Sequence, residues 1–193
     1  MPAVTVPVDA LALGPGYLFY APLGTADPAN TVTGSVFTDD WPAEWLLVGA
    51  TETGHTFNHQ LNTDPVEVAE YLQPIAYEPT GVAETVEFSM AQIKADTWKL
   101  ALNGGTITTT GTAATTLKKL SPPTPSDIVR IMLGWESRDN TERVVWRRCL
   151  NTGQMQPARA KGGAKALLAT SWNIEQPPDG SDPWNYWTAG VGR

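Results

Sequence analysis

The chain has 193 residues, 41% of them hydrophobic and 9% aromatic, which is enough apolar material to bury a core and excludes global disorder. No apolar run approaches the ~18 residues of a membrane-spanning helix, and Cys149, the only cysteine, excludes an internal disulfide framework and suits a reducing compartment. The net charge of −7 is split unevenly: residues 1–110 carry 13 acids against 2 lysines, and residues 111–193 carry 7 acids against 11 Lys and Arg.

Residues 1–40 read as an N-terminal arm, because Pro2, Pro7, Pro15, Pro22 and Pro28 with Gly14, Gly16, Gly24 and Gly34 leave little room for regular structure. Leu11, Leu13, Tyr17, Leu18, Phe19 and Tyr20 make that arm too apolar to lie free, so it needs a surface on its own domain or on a neighbouring copy. Met1 to Gly14 has no basic n-region, and Pro2, Pro7 and Asp9 interrupt it, so no secretory signal is expected there and the protein is expected in the cytosol that makes it.

Trp45 to Val48 begins a strand, Thr51 to Gly54 supplies a turn, and His55 to Leu61 returns with His55, Phe57 and His59 on one face. Two strand histidines with only Glu52 and Asp64 nearby do not have zinc-motif spacing, and no metal is expected. Asp64 to Glu70 opens on Pro65 and reads as an edge strand whose Glu67 projects opposite Val66 and Val68. Tyr71 to Thr80, with Pro74 and Pro79, reads as a long loop connecting two hairpin arms, and such loops are often contact surfaces.

The stretch from Val82 to Gly105 holds the one convincing helix and the strand that feeds it. Thr85 to Phe88 alternates, and Ser89 with Gln92 three residues on has the spacing of a capping box, while Phe88 and Ile93 can form a hydrophobic staple. Ala91, Ala95, Trp98 and Leu102 make one apolar stripe, and Asn103, Gly104 and Gly105 end the element, predicting a helix over about 90–103 with Phe88, Ile93 and Trp98 as its core anchors. A single amphipathic helix in a chain rich in Thr, Val, Gly and Pro can bury its stripe only against a sheet. The fold class expected is β-rich α+β, a sandwich or barrel-like sheet with one packed helix.

Thr106 to Thr116 fits strand, turn and strand, or a mobile loop, and Pro122, Pro123 and Pro125 make a stiff crossing. Asp127 to Trp135 and Arg143 to Leu150 form a hairpin, Ala164 to Ile174 is a last core strand, and residues 177–193 form a C-terminal arm with Trp184, Tyr186 and Trp187. Arg147 and Arg148 have no interleaved aromatics in the manner of a nucleic-acid module. Lys161, Gly162, Gly163 and Lys165 lack phosphate-loop spacing, and no nucleophile elbow, dinucleotide fingerprint or paired-cysteine site is present. Glu67, Glu70, Glu84 and Glu87 offer an acid/base pair without a neighbouring signature, so no enzyme and no cofactor is expected.

Four stretches together resemble the major tail tube proteins of long-tailed bacteriophages, especially the siphovirus-type phages of actinobacteria. They are Gly14-Pro-Gly-Tyr-Leu-Phe-Tyr-Ala-Pro-Leu-Gly-Thr25, Trp45-Leu-Leu-Val-Gly-Ala-Thr-Glu-Thr-Gly54, Glu84-Thr-Val-Glu-Phe-Ser-Met-Ala-Gln92 and Ala169-Thr-Ser-Trp-Asn-Ile174. The resemblance implies a tail tube β-sandwich over residues 41–176, between the arms at 1–40 and 177–193. It further implies six-fold rings stacked into a hollow tube in the virion tail, assembled in the host cytoplasm, through which the genome leaves. Partners implied are other copies of the chain, a tape measure protein, a tail terminator and distal tail proteins, with double-stranded DNA passing transiently and no membrane. No further immunoglobulin-like domain is expected.

Within that frame Glu67, Glu70, Glu84 and Glu87 are candidates for an acidic channel lining, because an acidic wall lets phosphates slide without sticking. Glu67 and Glu70 differ in strand parity and need a bulge or strand end to face the same way. Tyr17, Phe19, Tyr20, Trp184, Tyr186 and Trp187 are candidates for self-assembly arms. The oppositely charged halves are either solvated faces of one domain or surfaces that meet within the fold or between stacked copies. The alternatives are a β-sandwich binding module, with Trp184, Tyr186 and Trp187 as a sugar platform, and a ring-forming tail terminator or connector.

Overall fold

The computed structural model describes residues 16–112, 115–157 and 166–190. In chain order its strands are β1 (Gly16–Pro22), β2 (Val32–Thr33), β3 (Val36–Phe37), β4 (Leu46–Leu47), β5 (Thr51–Val66) and β6 (Ala76–Met90). The helix α1 (Ala95–Ala101) follows, then β7 (Thr106–Thr110), β8 (Leu117–Ser121), β9 (Ile131–Ser137), β10 (Glu142–Asn151), β11 (Leu168–Ile174) and β12 (Trp184–Thr188). One large antiparallel sheet runs β4-β1-β9-β10-β11-β6-β5, with β12 beside β11 on the same edge of β10, and β2-β3 and β7-β8 form two small ribbons. The fold is β-rich with one α-helix among the described residues.

The sheet curls over itself, since the His55 ring of β5 lies 5.1 Å from Trp135 of β9 and 5.5 Å from Trp146 of β10. Alternation explains what fills the inside: on β6 Glu84, Val86, Phe88 and Met90 are buried while Glu87 is exposed. Val86, Phe88 and Met90 meet Leu18, Leu133, Leu168 and the fully buried Trp146 and Trp172 in the main core. A second, smaller cluster of Ala21, Trp45, Met132 and Val145 lies on the other face. Adjacent Val145 and Trp146 of β10 serve the two clusters by alternation, and a register shift between Trp146 and Cys149 lets these two residues of opposite parity share the main core. On β9, Gly134 lies under Trp41, whose ring sits 2.5 Å from where a Cβ would be.

The helix is shorter than its sequence pattern. β6 runs on to Met90, with Ser89 paired to Ala169 and Met90 to Leu168, so the expected cap at Ser89 is a strand residue and the staple between Phe88 and Ile93 does not open a helix. Phe88 instead packs in the sheet, stacked 6.2 Å from Trp172. The N-cap is Lys94, whose backbone N–H donates to Thr97 Oγ1 at 2.8 Å. Ile93 and Trp98 are partly buried against the main core. Asn103, at φ 57°, and Gly104 close the helix, the Gly104 N–H reaching the Lys99 carbonyl at 2.9 Å. Asn103 then donates from Nδ2 to the Asn151 carbonyl at 2.7 Å, and Asn151 donates back to the Ala101 carbonyl at 2.6 Å. This tie between two buried amides fixes the helix to the end of β10.

Both arm boundaries shift. Gly16–Pro22 is an inner strand between β4 and β9 rather than part of an arm, because Leu18 and Ala21 are more fully buried within the sheet than any free segment allows. Trp184–Thr188 pairs with β10 along its whole length. Between β1 and β4 the irregular stretch is pinned by polar contacts: Arg147 holds Asp27 at 2.8 and 3.0 Å, and Trp45 Nε1 donates to the Ala26 carbonyl at 2.8 Å. Arg143 sits at the centre of this attachment. Its Nε donates to Glu136 Oε1 at 2.7 Å, its Nη1 reaches Asn30 Oδ1 and its Nη2 the Asp39 carbonyl, and its guanidinium lies 4.7 Å from the Phe37 ring centre.

Candidate self-assembly surface

β5 and β6 pair from Thr51 with Met90 out to Val66 with Ala76, a single long hairpin. The turn expected at Thr51 to Gly54 is therefore strand; Gly54, at φ 82°, falls in the register shift between Thr51 and His55 and bends the ribbon instead of reversing it. The loop expected over Tyr71 to Thr80 is mostly β6. Pro79 faces Thr63 beside a second register shift, where a missing N–H is tolerated.

The base of the hairpin is held by aromatic and charged contacts. Phe57 packs 5.3 Å from Trp184 and 5.9 Å from Trp146. His59 Nδ1 and Trp184 Nε1 both lie 2.7 Å from Glu84 Oε1, so one buried carboxylate ties β5, β6 and β12 together. Burial lowers the pKa of His55 to about 4, so it stays neutral in the folded protein while the unfolded chain takes up a proton near 6.5. The unfolded state binds more protons between those values. Stability is thus complete above about pH 6.5 and falls as pH drops toward 4, by up to ~3 kcal/mol. Urea unfolding should show this slope, and His55→Leu should flatten it; an unchanged slope in the variant would contradict the assignment.

Past the His59–Glu84 pair, the character of the hairpin changes. Residues 58–67 and 76–83 are exposed on both faces, and seven steps of ~3.3 Å from His59 to Val66 carry the ribbon about 23 Å beyond its last core contact. A bare two-stranded ribbon is marginal in water, yet this one displays Leu61, Val66, Tyr77 and Val82, with Tyr71, Leu72 and Ile75 at the tip. Leu72 is 108% exposed and Tyr71 68%. Exposed apolar groups gathered in one projection mark an interaction surface. Residues 51–90 also hold seven Asp and Glu with no Lys or Arg. Among the described residues no lysine or arginine pairs with Asp64, Glu67, Glu70 or Glu78.

The sequence candidates are distributed as follows. Glu67 and Glu70 lie exposed beside the tip, Glu87 is exposed on the sheet and bonded to Ser171 Oγ at 3.1 Å, and Glu84 is buried on the opposite face. The four do not form one surface, because Glu84 and Glu87 are of opposite parity on β6. Tyr17 is half exposed, Phe19 stacks 4.4 Å from Trp41, and Tyr20 is partly buried, its pKa raised first by burial and then by Asp96. Trp184 packs on the main core and Trp187 on the second cluster, leaving Tyr186 as the half-exposed member, so these three rings make no shared platform. The tip falls partly within Tyr71 to Thr80, the stretch expected as a contact-forming loop, but Tyr71, Leu72 and Ile75 were not among the self-assembly candidates.

Two ion pairs join the acidic and basic halves of the chain among the described residues, Arg147–Asp27 and Lys118–Asp96. No three His, Cys, Asp or Glu side chains among the described residues group as a metal site, and no described helix is long and apolar enough to cross a membrane. Cys149 is fully buried, and burial raises its thiol well above the ordinary range.

Compared with known proteins, residues 9–161 match the model of a family described as phage tail tube protein. No curated protein matches the chain.

Proposed function

The chain belongs to the phage tail tube protein family, and from that premise we propose that it polymerises through the β5–β6 hairpin into hexameric rings stacked as the hollow tube of a siphovirus tail. The family is one of structural virion proteins, which assemble into a tube. The observation that carries the finer reading is the hairpin itself, whose outer part is apolar on a body that offers it no cover. A heterologous contact of this kind, projection on one copy and receptor on the next, generates rings or helical arrays rather than closed pairs. The tube would conduct the genome during ejection, with a tape measure protein inside it and terminator and distal tail proteins at its ends, and assembly would take place in the host cytoplasm. Glu87, exposed on the sheet, is the retained candidate for an acidic lumen wall over which DNA slides; Glu67 and Glu70 belong to the contact between copies.

Negative-stain electron microscopy of the concentrated chain is expected to show hollow tubes of uniform width. Monomers at every concentration, with or without a tail-tip complex to nucleate growth, would overturn the reading, and single closed rings would move it to a terminator.

A further inference from the structure

At the end of β1 and β9 remote from Gly16 lies an apolar groove of about 920 Å³, floored by Tyr20 and Ile131 and walled by Leu23, Leu46 and Val129. Leu46 and Val129 are both 51% exposed, so nothing in the described chain fills it. One wall carries Arg130 and Arg148, whose Nε atoms lie 2.6 and 2.7 Å from the same oxygen of Glu175. Hydrogen bonds from Arg130 and then Arg148 hold that carboxyl below its usual range. Two guanidinium groups on one carboxylate leave a positive charge unbalanced on this wall, while Glu44 stands among the groove residues as the acidic counterpart.

Resting on the assembly reading above, we propose that this groove receives the hairpin tip of a second copy of the chain, with Tyr71, Leu72 and Ile75 in the groove and the tip carboxylates toward Arg130 and Arg148. The chemistry is complementary: the tip is apolar and bears Glu67, Glu70 and Glu78 without a cation, and the groove is apolar with cations to spare on one wall. The occupant is another copy: Tyr71, Leu72 and Ile75 are exposed in their own chain, as are Leu46 and Val129 of the groove, so the tip does not occupy its own groove.

Cross-linking tests the pairing directly. Chains carrying Leu46→Cys are mixed with chains carrying Leu72→Cys under assembling conditions and oxidised; buried Cys149 contributes little background. The expected result is a disulfide-linked pair at least tenfold more abundant than in either variant alone. A second measurement uses Leu46→Asp, which should raise the concentration needed for assembly at least tenfold at unchanged Tm, with recovery when combined with Leu72→Lys. Tubes that form without the cross-link and ignore Leu46→Asp would overturn the groove as receptor while leaving the tube reading intact. Predominant Leu72→Cys self-pairs would replace it with a tip-to-tip contact, and a wild-type chain that never assembles would remove both.

Discussion

Replacing Arg143 with alanine is expected to lower the stability of the folded chain by about 3–5 kcal/mol, a large share of the 5–15 kcal/mol typical of a domain. Arg143 is 2% exposed and its partner Glu136 10%. Removing the guanidinium leaves the Glu136 carboxylate buried with the Trp41 indole, whose Nε1 donates to Oε2 at 2.9 Å, as its remaining side-chain donor. It also frees the Asp39 carbonyl and the Asn30 side chain, so the irregular stretch between β1 and β4 loses its central pin. Arg143→Lys keeps the charge without the planar fork and should recover only part of the loss. Urea unfolding followed by tryptophan fluorescence measures both; a loss under about 1 kcal/mol in the alanine variant would show that the site is solvated.

Shortening the hairpin should have the opposite profile, no assembly and an intact body. Residues 67–75 can be replaced by Asn-Gly, because Val66 faces Ala76 as the last pair and a two-residue turn of that type suits a twisted ribbon. The excised residues are almost wholly exposed, so stability should change by no more than about 0.5 kcal/mol. Tube formation should fail at concentrations a hundredfold above those the full chain needs. Wild-type tubes from the shortened chain would show that the tip is not the contact.

Strict alternation made the β9–β10 hairpin, the inner face of β6 and the closing strand at Trp172 legible, since a buried face allows only one parity. The same rule applies to Arg143, which shares parity with Val145 and so points toward the second cluster. The full length of the hairpin was hidden by Gly54, Pro65, Pro74 and Pro79. Such residues break most elements, but a ribbon with a bulge and a free edge accommodates them. At Ser89 two local codes competed, a helix cap and a strand end, and burial of Met90 beside Leu168 decided for the strand. The tip had no legible partner, because nothing among the described residues covers it.

Strand order also sets a timetable for the nascent chain. β1 pairs with β9 and β6 with β11, so the body is built from contacts distant in sequence, which fold slowly. The β5–β6 hairpin is local and can close as soon as Met90 is made. At ribosomal speeds of ~5–20 residues per second, Ile174 emerges roughly 4–17 s later. During that interval the apolar segment is made before β11, the strand that pairs with β6 in the finished sheet, and a two-stranded ribbon alone is marginal. The seven carboxylates of residues 51–90, with no lysine or arginine among them, give that early segment a like charge that opposes close approach of two copies.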